Sequence, residues 1–279
     1  MKYPFADLEL ARRLERTEGL ANAEFVDARK KAFPDWNAEW TEVAGTYAMF
    51  DGPSSPCTQT FGLGMFQELT GEDMERLEQF FQQRGATVLH EVCPMADQSA
   101  FALLNERGYK PIEFSNALYR PISADLRLDA PRNEQLHVRL IREDEVNLWA
   151  ETQVEGWSEF PEAVDFLRDV GKVRAASKSL SFIAELDGKP IATGALSIGD
   201  GVALLAGAST IPSARKQGAQ LALLENRLRY AATQGCTIGM MVTLPGTGSQ
   251  RNAERHGFRV AYTRTKWQLQ GGPEQDAGL

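Results

Sequence analysis

From Ser209 to Gln220 the chain reads Ser-Thr-Ile-Pro-Ser-Ala-Arg-Lys-Gln-Gly-Ala-Gln, followed by the apolar helix former Leu221-Ala222-Leu223-Leu224. Two adjacent cations, Arg215 and Lys216, and one glycine, Gly218, stand where a β-prone stretch meets a helix start. That arrangement suits an anion. The first N–H groups of a helix have no internal partner, and the helix dipole favours negative charge there. A glycine lets the backbone approach a phosphate without a Cβ in the way. The competing account is an ordinary loop in which Gly218 eases a turn. The segment matches neither G-x-x-x-x-G-K-[ST] nor G-x-G-x-x-G.

Other chemistry-bearing residues are scattered. Tyr262 could act as an acid only if it points inward, and otherwise packs a sheet. Glu155 and Glu159 flank a helix end, where a solvated surface role competes with a place in a site. Trp157 and Phe160 could line a pocket or pack a core. His256 suits a helix C-terminus. Cys236 opens a strand with no histidine partner nearby, which favours packing over nucleophilic work.

The elements that must position the Arg215–Gly218 loop follow from periodicity and turn chemistry. Val138 to Ile141 reads as a strand, Glu143 to Glu155 and Pro161 to Val170 as helices. Ser181 to Leu186 and Lys189 to Ile198 flank Asp187-Gly188, a hairpin signal. Gly199-Asp200-Gly201 turns the chain into a strand from Val202 to Ile211, and Ala219 to Gln234 continues as a helix with Leu221, Leu224, Leu228 and Ala231 on one stripe.

A similar order occurs earlier. A strand from Thr58 to Met65 leads through Phe66-Gln67-Glu68-Leu69 to a helix, Thr70 to Arg84, with a capping pair Thr70/Asp73 and a stop at Gly85. Thr87 to Val92, Gln98 to Arg107 and Pro111 to Arg120 then match Thr237 to Thr243, Ser249 to His256, and the segments Arg259 to Thr263 and Thr265 to Leu269. The spacing from Gly85 to Gly235 equals that from Gly108 to Gly257 to within one residue. The order points to a tandem duplication. The earlier loop holds an acid and neither cation nor glycine, so it would repel an anion. The opening stretch, Ala6 to Phe33, reads as helices without chemistry.

The strand, loop and helix from Ser209 to Leu224 resemble the acyl-CoA pyrophosphate loop of the GNAT acetyltransferase superfamily. That pattern is Arg or Gln, two residues, Gly, one residue, then Gly or Ala; here it is Arg215, Lys216-Gln217, Gly218, Ala219, and Gln220 in the last place. The order from Val138 to Leu269, closing on Glu254-Arg255-His256-Gly257-Phe258, is similar to the whole domain. The resemblance implies an α+β fold: two GNAT-like domains, each a mixed, mostly antiparallel sheet flanked by helices. It divides the chain into 1–121, a degenerate domain without the loop; 122–135, a linker; 136–269, the acetyltransferase domain; and 270–279, a disordered tail.

The resemblance also implies acetyl-CoA, or another acyl-CoA, as cofactor. Ser209, Thr210 and Ile211 would pair with the pantetheine arm, and Arg215, Lys216, Gln217, Gly218, Ala219 and Gln220 would hold the pyrophosphate. Ser249 and Asn252 would lie near the thiol. An amine of a small molecule or peptide would attack the thioester directly in a ternary complex. The alternative is a non-catalytic acyl-CoA sensor: Ala253 stands where many members carry a catalytic tyrosine, and Gln220 stands where a small residue is usual. The strand Val202 to Ile211 has no carboxylate, so no general base is seen there.

The chain has 279 residues, 43% hydrophobic and 24% charged, with a net charge of −8. That length suits two domains at roughly 100–200 residues each. The negative charge disfavours nucleic acid. Cys57, Cys93 and Cys236 show no metal-ligand spacing and read as reduced thiols. No apolar run long enough for a membrane span and no signal peptide are seen, so a cytoplasmic setting is expected.

Overall fold

The computed structural model describes residues 2–128, 133–159 and 164–271. The chain separates into two compact units. One comprises Met1–Tyr3 and Arg120–Met241, the other Pro4–Tyr119 and Val242–Leu279.

The second of these is built first by the chain. Helix α1, Leu8–Ala32, starts on the Asp7 side-chain cap and runs unbroken, so the opening stretch is one helix. Strands β1 (Glu39–Val43) and β2 (Thr46–Phe50) form a hairpin around Ala44-Gly45, both at positive φ. Their apolar side chains meet α1 in a core of Ala23, Val26, Tyr47, Met49 and Phe61. β3 is only Thr60–Phe61, shorter than the expected strand, because Gly62 and Gly64 turn into the left-handed region just after it. Helix α2 (Gly71–Gln82) begins on the Thr70/Asp73 capping box. Strand β4 (Leu89–Val92), helix α3 (Gln98–Glu106) and strand β5 (Tyr109–Pro121) follow.

The other unit carries strand β6 (Leu136–Leu140), helices α4 (Val146–Gly156) and α5 (Val164–Ala176), and strands β7 (Leu180–Leu186), β8 (Lys189–Gly199) and β9 (Val202–Thr210). Asp187-Gly188 and Asp200-Gly201 all sit at positive φ, so both hairpins turn as their sequences demand. β6, β7, β8 and β9 pair antiparallel in that order. Helix α6 (Ala219–Thr233) then crosses over to strand β10 (Ile238–Thr243), which joins β9 in parallel, Ile238 to Met240 against Val202 to Leu204. The pairing does not extend beyond Leu204 among the described residues, leaving the later part of β9 with an edge on that side. Trp149 of α4, Ile183 of β7 and Ala195 of β8 centre its core.

The chain ends with helix α7 (Gly248–Arg255) and strand β11 (Arg259–Leu269). The two segments expected there are one strand with register shifts, and its partners are unexpected. It pairs antiparallel with β4, Thr265 against Val92, and with β5, from Arg259 against Tyr119 to Leu269 against Tyr109. A division into 1–121 and 136–269 keeps this strand with the later half. The compact units instead assign it to the earlier one, because pairing follows an available sheet edge rather than chain proximity. Of the 122–135 linker, Leu126 and Leu128 are buried and 129–132 lie outside the described residues, as does the tail beyond residue 271. Among the described residues no helix is long and apolar enough to cross a membrane.

Candidate functional site

The Arg215–Gly218 loop leaves β9 through a short 3-10 turn, Pro212–Ala214. Arg215 is extended, Lys216 is left-handed at φ 66, and Gly218 is left-handed at φ 88 as the N-cap of α6. A non-glycine residue held at positive φ costs of order 1 kcal/mol and is common at ligand clamps. Gly218 provides no side-chain cap. A Cβ there would meet only Leu136 Cδ1 at 3.8 Å, so the concavity is open, though the backbone conformation itself favours glycine. The start of α6 thus presents N–H groups to an anion without a carboxylate of its own to close them.

Beside this loop lies an open cleft of ≈ 320 Å³, lined by Gly156, Trp157, Glu159, Ala208, Ser209, Thr210, Arg215 and Gln220. Gly156 ends α4 where a Cβ would fall 2.6 Å from Ser209 Oγ, so only glycine lets the helix end lie this close to β9. The floor of the cleft is a β-bulge. The β8–β9 register steps from Thr193/Ser209 to Ala195/Ala206, so Gly207 and Ala208 stand against Gly194. Gly207 is at φ 58, and Ala208 is exposed. Bulges of this kind re-aim a strand next to active sites.

The residues expected to hold a cofactor divide into groups. Ser209 and Thr210 line the cleft. Ile211 is buried and its N–H already donates to the Ile191 carbonyl at 2.9 Å, so its backbone donor is committed to β8. Lys216 and Gln217 are exposed on the loop, and Ala219 is buried under it. Arg215 is exposed, but its guanidinium pairs with Glu159 at 2.6 Å, which holds the Glu159 carboxyl below the usual range. Gln220 uses its amide at home: Nε2 donates to the Ser209 carbonyl at 2.8 Å and the Thr210 hydroxyl at 2.7 Å.

Ser249 and Asn252 lie exposed on α7, in the other compact unit. Tyr262 belongs to that unit's core. It is buried, and its hydroxyl donates to Glu15 Oε1 at 2.8 Å; burial and the Glu15 charge push its pKa well above 10. Of the two aromatic candidates, Trp157 lines the cleft and Phe160 lies outside the described residues. Glu155 is exposed, Cys236 is buried, and His256 is a helix C-cap. The sequence reading missed Gly207, Ala208 and Gly156; the signal was there, a glycine within a strand and a glycine at a helix end.

Residues 142–258 match the description "Acetyltransferase (GNAT) family". The match spans less than half of the chain. Solved structures give the fold over most of the chain. A GCN5-related N-acetyltransferase from Kribbella flavida is 19% identical, with 90% of this chain and 96% of that one covered at a TM-score of 0.58. A second from Sphaerobacter thermophilus is 17% identical, covering 91% and 93% at 0.55. A tandem GNAT protein from the clavulanic acid biosynthesis pathway is 13% identical, covering 83% and 80% at 0.55. A comparison with curated proteins gives no match.

Proposed function

We propose that this protein transfers an acetyl group from acetyl-CoA to an amine of a small molecule or peptide, in the unit that carries β9 and α6. The observation that supports this most is the α6 start: an uncapped helix N-terminus with Gly218 at φ 88, next to a cleft floored by the β9 bulge. In this reading the α6 N–H groups, with Lys216 and a released Arg215, hold the pyrophosphate, and the edge of β9 from Ala208 to Thr210 holds the pantetheine arm. Bound acetyl-CoA supplies an activated thioester. The acceptor's nitrogen forms the new C–N bond, the C–S bond breaks with the electron pair leaving on sulfur, and the amine proton passes to water. The protein's contribution is positioning and polarisation of the carbonyl, which together account for much of the barrier reduction in such reactions.

A second reading, an acyl-CoA sensor without turnover, draws on two specific features. Ala253 offers no acid, and Glu159 and Gln220 engage the groups that a ligand would use. Release of free CoA from acetyl-CoA with a panel of amines separates the two readings.

The primary test is calorimetric titration of acetyl-CoA into the wild type and into an Arg215→Ala/Gly218→Asp variant. Binding by the wild type that weakens at least about 100-fold in the variant, on the order of 2.7 kcal/mol, supports the cofactor site. No binding to the wild type overturns both readings. The acidic chain and the amine chemistry suit a cytoplasmic setting and a cationic acceptor, which cell fractionation and the amine panel test.

A further inference from the structure

Arg227 lies on α6 beneath the cleft floor and is 3% exposed. Interiors penalise a lone charge heavily, and a buried cation is ordinarily paired with an acid. Arg227 has no carboxylate partner among the described residues. It donates only to backbone carbonyls: Nη1 to Ala195 of β8 at 2.9 Å and to Ala206 of β9 at 3.2 Å, and Nε to Leu223 at 3.2 Å. Burial lowers its pKa to about 10, so it stays a cation at neutral pH.

Its position is built in. A Cβ on Gly194 would fall 2.7 Å from the Arg227 Cζ, so β8 needs glycine there to admit the guanidinium. Gly194 is the residue against which β9 bulges. The Ala206 carbonyl that Arg227 holds belongs to the same peptide as the Gly207 N–H. The next peptide is held in the same way, since Thr193 Oγ1 donates to the Gly207 carbonyl at 3.2 Å, and that peptide carries the Ala208 N–H. A donor on a carbonyl polarises its peptide and strengthens the N–H at the other end.

We propose that Arg227, assisted by Thr193, is a positioning residue that polarises the two bulge peptides from behind, so that the Gly207 and Ala208 N–H groups become strong donors to a thioester carbonyl in the cleft. The inference rests on the acyl-CoA reading above. It gives the site a fixed positive charge, kept dry beneath the floor, that takes the place of an acid as negative charge grows on the carbonyl oxygen. As the acceptor nitrogen bonds to the carbonyl carbon, the C–S bond breaks with its pair on sulfur, and the amine proton leaves to water.

The test uses acetyl-CoA carrying 13C at the carbonyl and unlabelled CoA, with the full chain, the variants Arg227→Met, Arg227→Lys, Thr193→Val and Gly194→Ala, and two readouts. Calorimetry gives the affinity for CoA, which the loop governs. Isotope-edited infrared spectroscopy gives the carbonyl stretch of the bound thioester, which the bulge governs. The expected result is a lowered stretch in the wild type, a return toward the solution value in Arg227→Met and Gly194→Ala, a smaller return in Thr193→Val, and recovery in Arg227→Lys. CoA affinity should stay within about threefold throughout. A wild-type shift that survives in Arg227→Met overturns the proposal and leaves the cofactor site standing. Absence of CoA binding by the wild type overturns the cofactor reading and this one with it. Should Arg227→Met not fold, Thr193→Val and Arg227→Lys decide: an unchanged shift in Thr193→Val, or a fully lost one in Arg227→Lys, overturns it.

Discussion

Arg264 and Arg227 are both buried guanidinium groups, one in each compact unit, and their surroundings differ in kind. Arg264 on β11 stands among carboxylates: Glu18 at 2.7 Å, Glu15 at 3.6 Å and Glu91 at 3.9 Å. Arg227 on α6 stands among carbonyls. The first arrangement cancels a charge inside a core. The second keeps one beneath a cleft. The two crossover-helix starts differ in the same direction. α2 closes its N-terminus with its own Asp73, which accepts from the Thr70 N–H at 3.1 Å while Thr70 caps the Asp73 N–H at 3.2 Å. α6 begins on Gly218 with no cap. The α2 start and Arg264 each meet a carboxylate of their own unit, whereas the α6 start has no side-chain cap and Arg227 meets only carbonyls. A helix and a buried cation do not make a site; what makes one is that they are left without internal acids.

The largest effect is expected in the carboxylate cluster around Arg264. Three acids face one cation, Glu15 Oε2 has no hydrogen-bond partner, and burial, opposed by Arg264, raises the Glu15 pKa to about 7. A raised acid holds its proton more tightly in the folded state. Its favourable contribution is therefore complete below the unfolded value near 4.5 and is lost as pH rises toward 7. Glu15→Gln, a neutral stand-in, removes that loss. Relative to wild type it should be close to neutral at pH 4 and more stable at pH 8 by on the order of 3 kcal/mol, read from denaturant midpoints at the two pH values. A difference independent of pH would mean that Glu15 binds its proton equally well folded and unfolded and that the cluster is balanced some other way.

Next in size is the α2 cap. Thr70→Ala should lower stability by about 1 kcal/mol and leave acetyl-CoA binding by the whole chain unchanged, because the closed helix start is structural. Created or enhanced binding in this variant would show that only the cap distinguishes the α2 start from the α6 start.

How much of this was readable beforehand depends on the range of the interaction involved. The α6 start was readable because its signals are local: Arg215, Gly218 and the apolar run after it occupy one short stretch. So was the Thr70/Asp73 box, whose partners are three residues apart. The bulge was not, because it is a relation between β8 and β9; a glycine at 194 and another at 207 hint at it only once the register is known. Arg227 lies at helical spacing from Leu224 and Ala231, but nothing local marks it as functional; what admits its guanidinium is the missing Cβ of Gly194 on a different strand. Tyr262 read as a possible acid because its strand was assigned to the later half. The pairing of β11 with β4 and β5, a choice made over most of the chain length, puts its hydroxyl on Glu15 instead.

Gln220 sharpens the contrast at smaller scale, since it is the place where the loop departs from the family pattern and where the structure partly satisfies the open unit from within. Gln220→Ala frees the Ser209 carbonyl and the Thr210 hydroxyl and should tighten acetyl-CoA binding about fivefold, near 1 kcal/mol. Weaker binding would instead make the Gln220 amide a ligand contact, with the observed pairing simply its resting place.

The smallest effect concerns Glu159. Its pair with Arg215 is exposed on both sides, with side chains 44% and 54% accessible, so water and salt screen it. It nevertheless spends the loop's first cation on a protein carboxylate, and a pyrophosphate would have to take Arg215 away from it. Glu159→Gln should therefore strengthen CoA binding about threefold at low ionic strength, with the gain shrinking as salt is added. Dephospho-CoA, which retains the pyrophosphate but lacks the ribose phosphate, should show the same gain if Arg215 serves the pyrophosphate. A gain confined to CoA itself would place Arg215 on the ribose phosphate, and the helix start, without that cation, would then hold the pyrophosphate with Lys216 and its own N–H groups.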